Sequence, residues 1–256
     1  MKDPIVVVGI GEMAGVFTRG FLKCGYPVFP LRRGDDMAAE AKALIKPALV
    51  LVSVGENDLP AVLKQLPAAW RDRVGLLQNE LLPRDWQLHQ LRDPTVVSVW
   101  FEKKKGQEFK VLLPSPVFGP AATLIEQALE ALGIPCWELN SAQALEYELV
   151  RKNLYILTTN IAGLALPEGT NVDALWNQQQ PLAREVANEV LEIQFKLIGK
   201  ALDRSKLIDG MVEGIAGDLK HRCMGRSAPG RLARALQHAD QFGLAVPRLR
   251  AIAARG

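Results

Sequence analysis

The sequence predicts an α/β fold in which a doubly wound parallel sheet occupies about residues 1–140 and an all-α domain about residues 141–256. Three observations carry that expectation. Short apolar runs alternate with helix-spaced segments as far as about residue 140, a glycine-rich turn lies directly between the first run and the first helix, and no strand pattern recurs after Ser141.

The first run, Ile5–Val8, is continuous and largely β-branched, and residues 13–22 place Met13, Val16, Phe17 and Phe21 at helical spacing. Gly25-Tyr26-Pro27 ends that helix, and Val28–Leu31 supplies a second strand closing at Arg32-Arg33-Gly34-Asp35. Residues 37–45 read as a helix and 48–54 as a third strand, apolar except for Ser53, as suits a strand covered on both faces. A helix over 59–66 and strands over 74–78 and 95–99 continue the alternation, so right-handed crossovers follow. Beyond Trp100, residues 109–113 after Lys103-Lys104-Lys105-Gly106 read as an antiparallel hairpin appended to the sheet. Residues 121–132 form a helix stopped by Gly133, and 136–139 an edge strand. The rest reads as amphipathic helices over 143–164, 181–202, 209–220 and 228–242, with a polar break at 167–171.

Composition narrows the class. With 48% hydrophobic and 23% charged residues among 256, the chain is an ordinary globular one, not disordered or collagen-like. No apolar stretch approaches the roughly 18–20 residues of a membrane span, and no leader precedes the first strand, so a cytoplasmic protein without a membrane partner is expected. Cys24, Cys136 and Cys223 are odd in number and lack metal-ligand spacing, so reduced, inert thiols and no metal are expected. The net charge of +3 is too small for a nucleic-acid footprint, and the C-terminal arginines lack interleaved aromatics, so they read as a solvated helical face.

Gly9-Ile10-Gly11-Glu12-Met13-Ala14 fits G-x-G-x-x-G/A in the strand-to-helix context that gives the pattern meaning. Gly9 permits the tight turn, Gly11 lets a pyrophosphate approach the backbone, and Ala14 lets helix and strand pack closely. The helix N-terminus then offers N–H groups and a positive dipole end to phosphate. About twenty residues on, where an acidic residue would bind the ribose hydroxyls of NAD, stand Arg32 and Arg33. Two guanidinium forks suit a 2′-phosphate, so NADP is the expected cofactor; the competing reading is two solvated cations paired with Asp35 and Asp36.

On these residues the chain resembles the ketopantoate reductase family of NADP-dependent oxidoreductases. The glycine turn, Arg32-Arg33, Leu77-Gln78-Asn79, Arg151-Lys152 and residues 243–246 before Pro247 follow the family's landmarks in order. The resemblance implies a Rossmann domain followed by a helical domain, with cofactor and substrate meeting between them. It implies Lys152 as proton donor to a carbonyl oxygen, Asn79 beside the nicotinamide, and Asn160 as a second positioning amide. The chemistry is sound by itself, because hydride addition builds an alkoxide that an ammonium group stabilises and protonates.

Departures set the substrate expectation. Ile156 stands where the family has an asparagine one turn past the lysine, and Gly55, beside Glu56, where it has a strand-end lysine that helps hold the cofactor. Glu80 replaces a glycine after the Gln-Asn pair, and Pro229 and Gly217 fall at an expected glutamate and serine. These groups would bind the hydroxyl and carboxylate of ketopantoate, so a different small keto or imino substrate is expected. The alternative is a catalytically degenerate NADP-binding sensor or regulatory module. The Leu- and Ala-rich helical part would suit a homodimer, and His89, His221 and His238 read as surface residues.

Overall fold

The structure, a computed structural model, describes residues 2–255. The chain divides into two compact units, Met1–Glu148 and Leu149–Gly256. The division falls inside helix α6 (Ala142–Gly163).

The first unit is built on a seven-stranded sheet of order β2-β1-β3-β4-β5-β8-β9. Its strands are β1 (Ile5–Val8), β2 (Val28–Leu31), β3 (Leu49–Val52), β4 (Val74–Leu76), β5 (Thr95–Val97), β8 (Ser115–Phe118) and β9 (Cys136–Glu138). All neighbouring pairs are parallel except β5 and β8. β1 and β3 are wholly buried, which is why their sequences are unbroken apolar runs. β2 lies at an edge, where Pro30 costs no inner ladder bond. Helices α1 (Glu12–Lys23), α2 (Met37–Ala43), α3 (Leu59–Gln65), α4 (Pro83–Gln87) and α5 (Ala122–Glu130) connect these strands. α1 lies so close to α5 that a Cβ on Gly20 would stand 2.3 Å from the Ala128 carbonyl oxygen.

The segment after Trp100 differs from the expectation. The hairpin is real, but β6 (Phe101–Glu102) and β7 (Lys110–Val111) form a two-stranded sheet of their own and are not appended to the large one. The strand that joins the large sheet there is β8, hidden in the sequence by Ser115-Pro116. Ser115 is buried because its hydroxyl accepts the Trp100 N–H at 2.9 Å.

In the second unit the elements are α6 from Leu149 onward, α7 (Val172–Gln178), α8 (Gln180–Ile198), α9 (Arg204–Gly217), α10 (Ala228–Gln241) and α11 (Pro247–Ala253). No strand forms among its described residues; Asn171 and Arg222 make an isolated bridge. α7 emerges where the sequence suggested the end of a polar break, because Asn171 accepts the Ala174 N–H and caps it. α9 begins five residues before the expected 209, at the point where Asp203 accepts the Lys206 N–H. α11 starts at Pro247, a residue suited to a first turn.

α6 is buried almost all round rather than amphipathic. Asn153, Thr158, Thr159 and Asn160 are buried beside Leu154, Leu157 and Ile161. Asn153 donates to the Gln194 side-chain oxygen on α8 at 3.0 Å, and Thr159 donates to the Tyr155 carbonyl, so these groups replace lost water bonds.

Candidate functional site

The first unit carries a cleft of about 580 Å³ at the carboxyl ends of β1, β2 and β3. β1 stands between β2 and β3 in the sheet, so the crossover from β1 to β2 and the next from β2 to β3 run in opposite directions and open a crevice there. Gly9, Ile10, Gly11, Leu31, Arg32, Arg33, Asp35, Ser53, Gly55 and Asp58 are among the residues that line it.

The two glycines do different work. Gly9 has φ of +94°, and a Cβ there would lie 2.8 Å from the Ser53 carbonyl oxygen, so the fold itself requires glycine. Gly11 has an extended backbone that any residue adopts, and a Cβ on it would meet no atom within 4 Å. Its missing side chain leaves open the space above the start of α1. No side chain caps that helix start, as at α3, α5, α8, α10 and α11; α2, α7 and α9 are capped by Asp36, Asn171 and Asp203. Open space over uncapped N–H groups is the shape and polarity a phosphate needs. Ser53 Oγ is buried at the cleft without a hydrogen-bond partner, a further polar group available to a ligand.

The remaining turn residues divide by direction. Ile10 is 59% exposed on the cleft, Ala14 is buried in the core, and Met13 packs against that core. The side chains of Met13 and Ala14 therefore serve packing. Glu12, the first residue of α1, pairs with Lys103 at 3.2 Å.

Arg32 and Arg33 both line the cleft, and both are engaged. Arg32 donates its backbone N–H to Asp35 at 2.7 Å, and its guanidinium stands 3.7 Å from the same carboxylate. Arg33 Nη2 reaches Asp58 Oδ2 at 2.6 Å, joining the end of β2 to the start of α3. Asp36, the other acid beside them in sequence, is instead the cap of α2. Asp58 is 25 residues away and carries no sequence signal as a partner.

Asn79 follows β4, is half-buried, does not line the cleft, and makes no hydrogen bond to another described residue. Its neighbour Gln78 is committed: it donates to the carbonyls of Val52 at 2.7 Å and Val54 at 3.2 Å and accepts the Leu77 N–H. Gln78 thus ties the end of β4 to the end of β3, and Glu80 takes a φ of +61° where the family would have glycine.

In the second unit Lys152 is 5% exposed on α6, and Ile156, one turn on, is half-buried. Asn160, a further turn on, is fully used within the unit. Its Nδ2 donates to the Cys223 carbonyl at 3.0 Å, and its Oδ1 accepts Arg231 Nη1 at 2.6 Å. Arg231 is buried, so this arginine departs from the solvated face expected of the C-terminal basic residues. Others there are paired: Arg248 with Glu185, and Arg250 with Asp240 at 2.5 Å.

Burial raises the Cys136 thiol to about 12 and the Cys223 thiol to about 11, so both stay protonated and unreactive at neutral pH. No group of three or more metal-ligating side chains is found among the described residues, and no described helix is long and apolar enough to cross a membrane.

Comparison with solved structures follows the same lines. A ketopantoate reductase from Ralstonia eutropha superposes over 98% of this chain and 96% of its own, with TM-score 0.65 and 15% identity. The chain has the fold of the ketopantoate reductases. A dimeric ketopantoate reductase from Staphylococcus aureus matches over 98% and 96% of the two chains, at TM-score 0.65 and 13% identity. A D-mandelate dehydrogenase in complex with NADH does so over 98% and 96%, at TM-score 0.64 and 14% identity. No family model matches the sequence, and no curated protein matches it. The likeness is one of fold, and function rests on the site.

Proposed function

We propose that the chain is an NADP(H)-dependent oxidoreductase that reduces a small keto or imino substrate other than ketopantoate. The observation that carries this reading is the cleft at the ends of β1, β2 and β3, where Gly11 leaves open the uncapped start of α1 and two arginines end β2. A nicotinamide dinucleotide fits these residues. The turn from Gly9 to Ala14 would hold the pyrophosphate on its backbone, and Arg32 and Arg33 the adenosine end with its 2′-phosphate.

When bound, the reduced nicotinamide supplies a hydride. Lys152 is assigned the proton given to the substrate oxygen or nitrogen, and Asn79, with its carboxamide uncommitted, the orientation of the reacting group. Asn160 is assigned a positioning role through Arg231, since both ends of its side chain are occupied. The dimeric Staphylococcus aureus enzyme supports extending a homodimer to this chain through its helical unit. Three unpaired thiols suit a reducing compartment, so the reading places the protein in the cytoplasm.

The test is consumption of NADPH, followed by its absorbance, against a panel of 2-oxo acids, aldehydes and cyclic imines. Turnover of one class supports the reading. Tight NADPH binding without turnover of any class favours a catalytically degenerate sensor, a reading to which Ile156 and the committed Asn160 lend weight.

A further inference from the structure

The hairpin that sequence reading appended to the sheet instead lies on α1, and its position has a chemical consequence. Phe101 of β6 packs its ring 6.0 Å from that of Phe17 on α1, and both are buried in the same core. Phe109 and Val111, on the returning side, pack against that core as well. The chain leaving Phe101 is therefore held against the helix, and two residues later Lys103 meets its first residue.

Lys103 Nζ stands 3.2 Å from Glu12 Oε2, with the lysine side chain only 15% exposed and the glutamate 45%. The same ammonium donates to the Lys104 carbonyl at 2.9 Å, while Lys104 turns to Glu102 at 3.1 Å. Of the lysines before Gly106, Lys103 is thus the one fixed at the glycine turn. Glu12 suits a helix N-terminus on its own, but beside a pyrophosphate its charge would be repulsive.

We propose that Lys103 is a binding residue for the pyrophosphate of the dinucleotide, held at the start of α1 by Glu12. This rests on the dinucleotide reading above. Lysine suits the task because its ammonium is a compact charge on a flexible stem with three donors, able to keep one contact and offer another.

Calorimetric titration of the whole chain with NADPH, NADH and adenosine 2′-monophosphate tests it. Lys103→Met should weaken NADPH and NADH alike by about tenfold or more, the worth of a hydrogen bond to a charged group. Adenosine 2′-monophosphate has no pyrophosphate, so its affinity should be unchanged, and Lys103→Arg should restore most of the dinucleotide affinity. Unchanged dinucleotide affinity in a folded Lys103→Met protein, or equal loss for all three ligands, would overturn the proposal while leaving the dinucleotide reading in place. Failure of the wild type to bind either dinucleotide would overturn both. Should Lys103→Met not fold, Lys103→Gln decides: a neutral side chain of similar reach that can still hydrogen-bond Glu12 should lose dinucleotide affinity as the methionine does, and unchanged affinity would contradict the assignment.

Discussion

Arg33, at the end of β2, is held at 2.6 Å by Asp58, just before α3, and on the proposed function that contact bears on cofactor choice. A 2′-phosphate that recruits Arg33 must draw it from Asp58 and then sit near that carboxylate, so the existing pair works against NADPH. Asp58→Asn should therefore tighten NADPH by about threefold, in keeping with the modest worth of exposed ion pairs, and leave NADH unchanged. Replacing Arg32 and Arg33 together by alanine should weaken NADPH by about tenfold or more and again spare NADH. Competitive titration of the two cofactors reads both outcomes, and an NADH effect equal to the NADPH effect would remove these arginines from 2′-phosphate recognition.

At the scale of elements, what the sequence made legible follows from how local the determining physics is. β1 and β3 were readable because full burial demands an unbroken apolar run, and α1 because its start is written in glycines. β8 was not, because a serine and a proline are tolerated there only through the Trp100 bond and the end of the ladder. Short α4 was missed for a related reason: its start depends on Asp85, which accepts the Leu82 N–H at 2.8 Å. The candidate site divides the same way. The glycine turn and the two arginines are contiguous in sequence and could be nominated, whereas Asp58, Lys103 and Arg231 gain their partners only through folding.

Asp85 also gives an element-scale prediction. Burial raises its pKa above the ordinary carboxylate value, outweighing the Leu82 N–H that lowers it. The folded state then holds the proton more tightly than the unfolded one, so this group's contribution is greatest at acid pH and declines as pH rises through the folded-state value. Asp85→Asn keeps an acceptor for the Leu82 N–H and removes the buried charge. It should raise the melting temperature at neutral pH and flatten that acid-side decline; a lower melting temperature at neutral pH would show that the charged cap is worth more than its desolvation.

For the molecule as a whole, the proposed function divides its tasks between the two units, with the cleft assigned to the dinucleotide in the first and Lys152 in the second. Once a substrate is found, Lys152→Ala should lower turnover by roughly 10²–10⁴-fold, the usual worth of a positioned acid, with NADPH affinity nearly unchanged. Full activity in that variant would move the proton donor elsewhere. The central claim, that the start of α1 is a dinucleotide site and not merely a tight turn, is tested most directly by titrating NADPH into the wild type and Gly11→Val. The extended backbone and open space at Gly11 allow the variant to fold, so the account predicts a folded protein, its melting temperature lowered only by the poorer helix cap, with NADPH binding abolished. A folded Gly11→Val protein that binds NADPH as tightly as the wild type would contradict it.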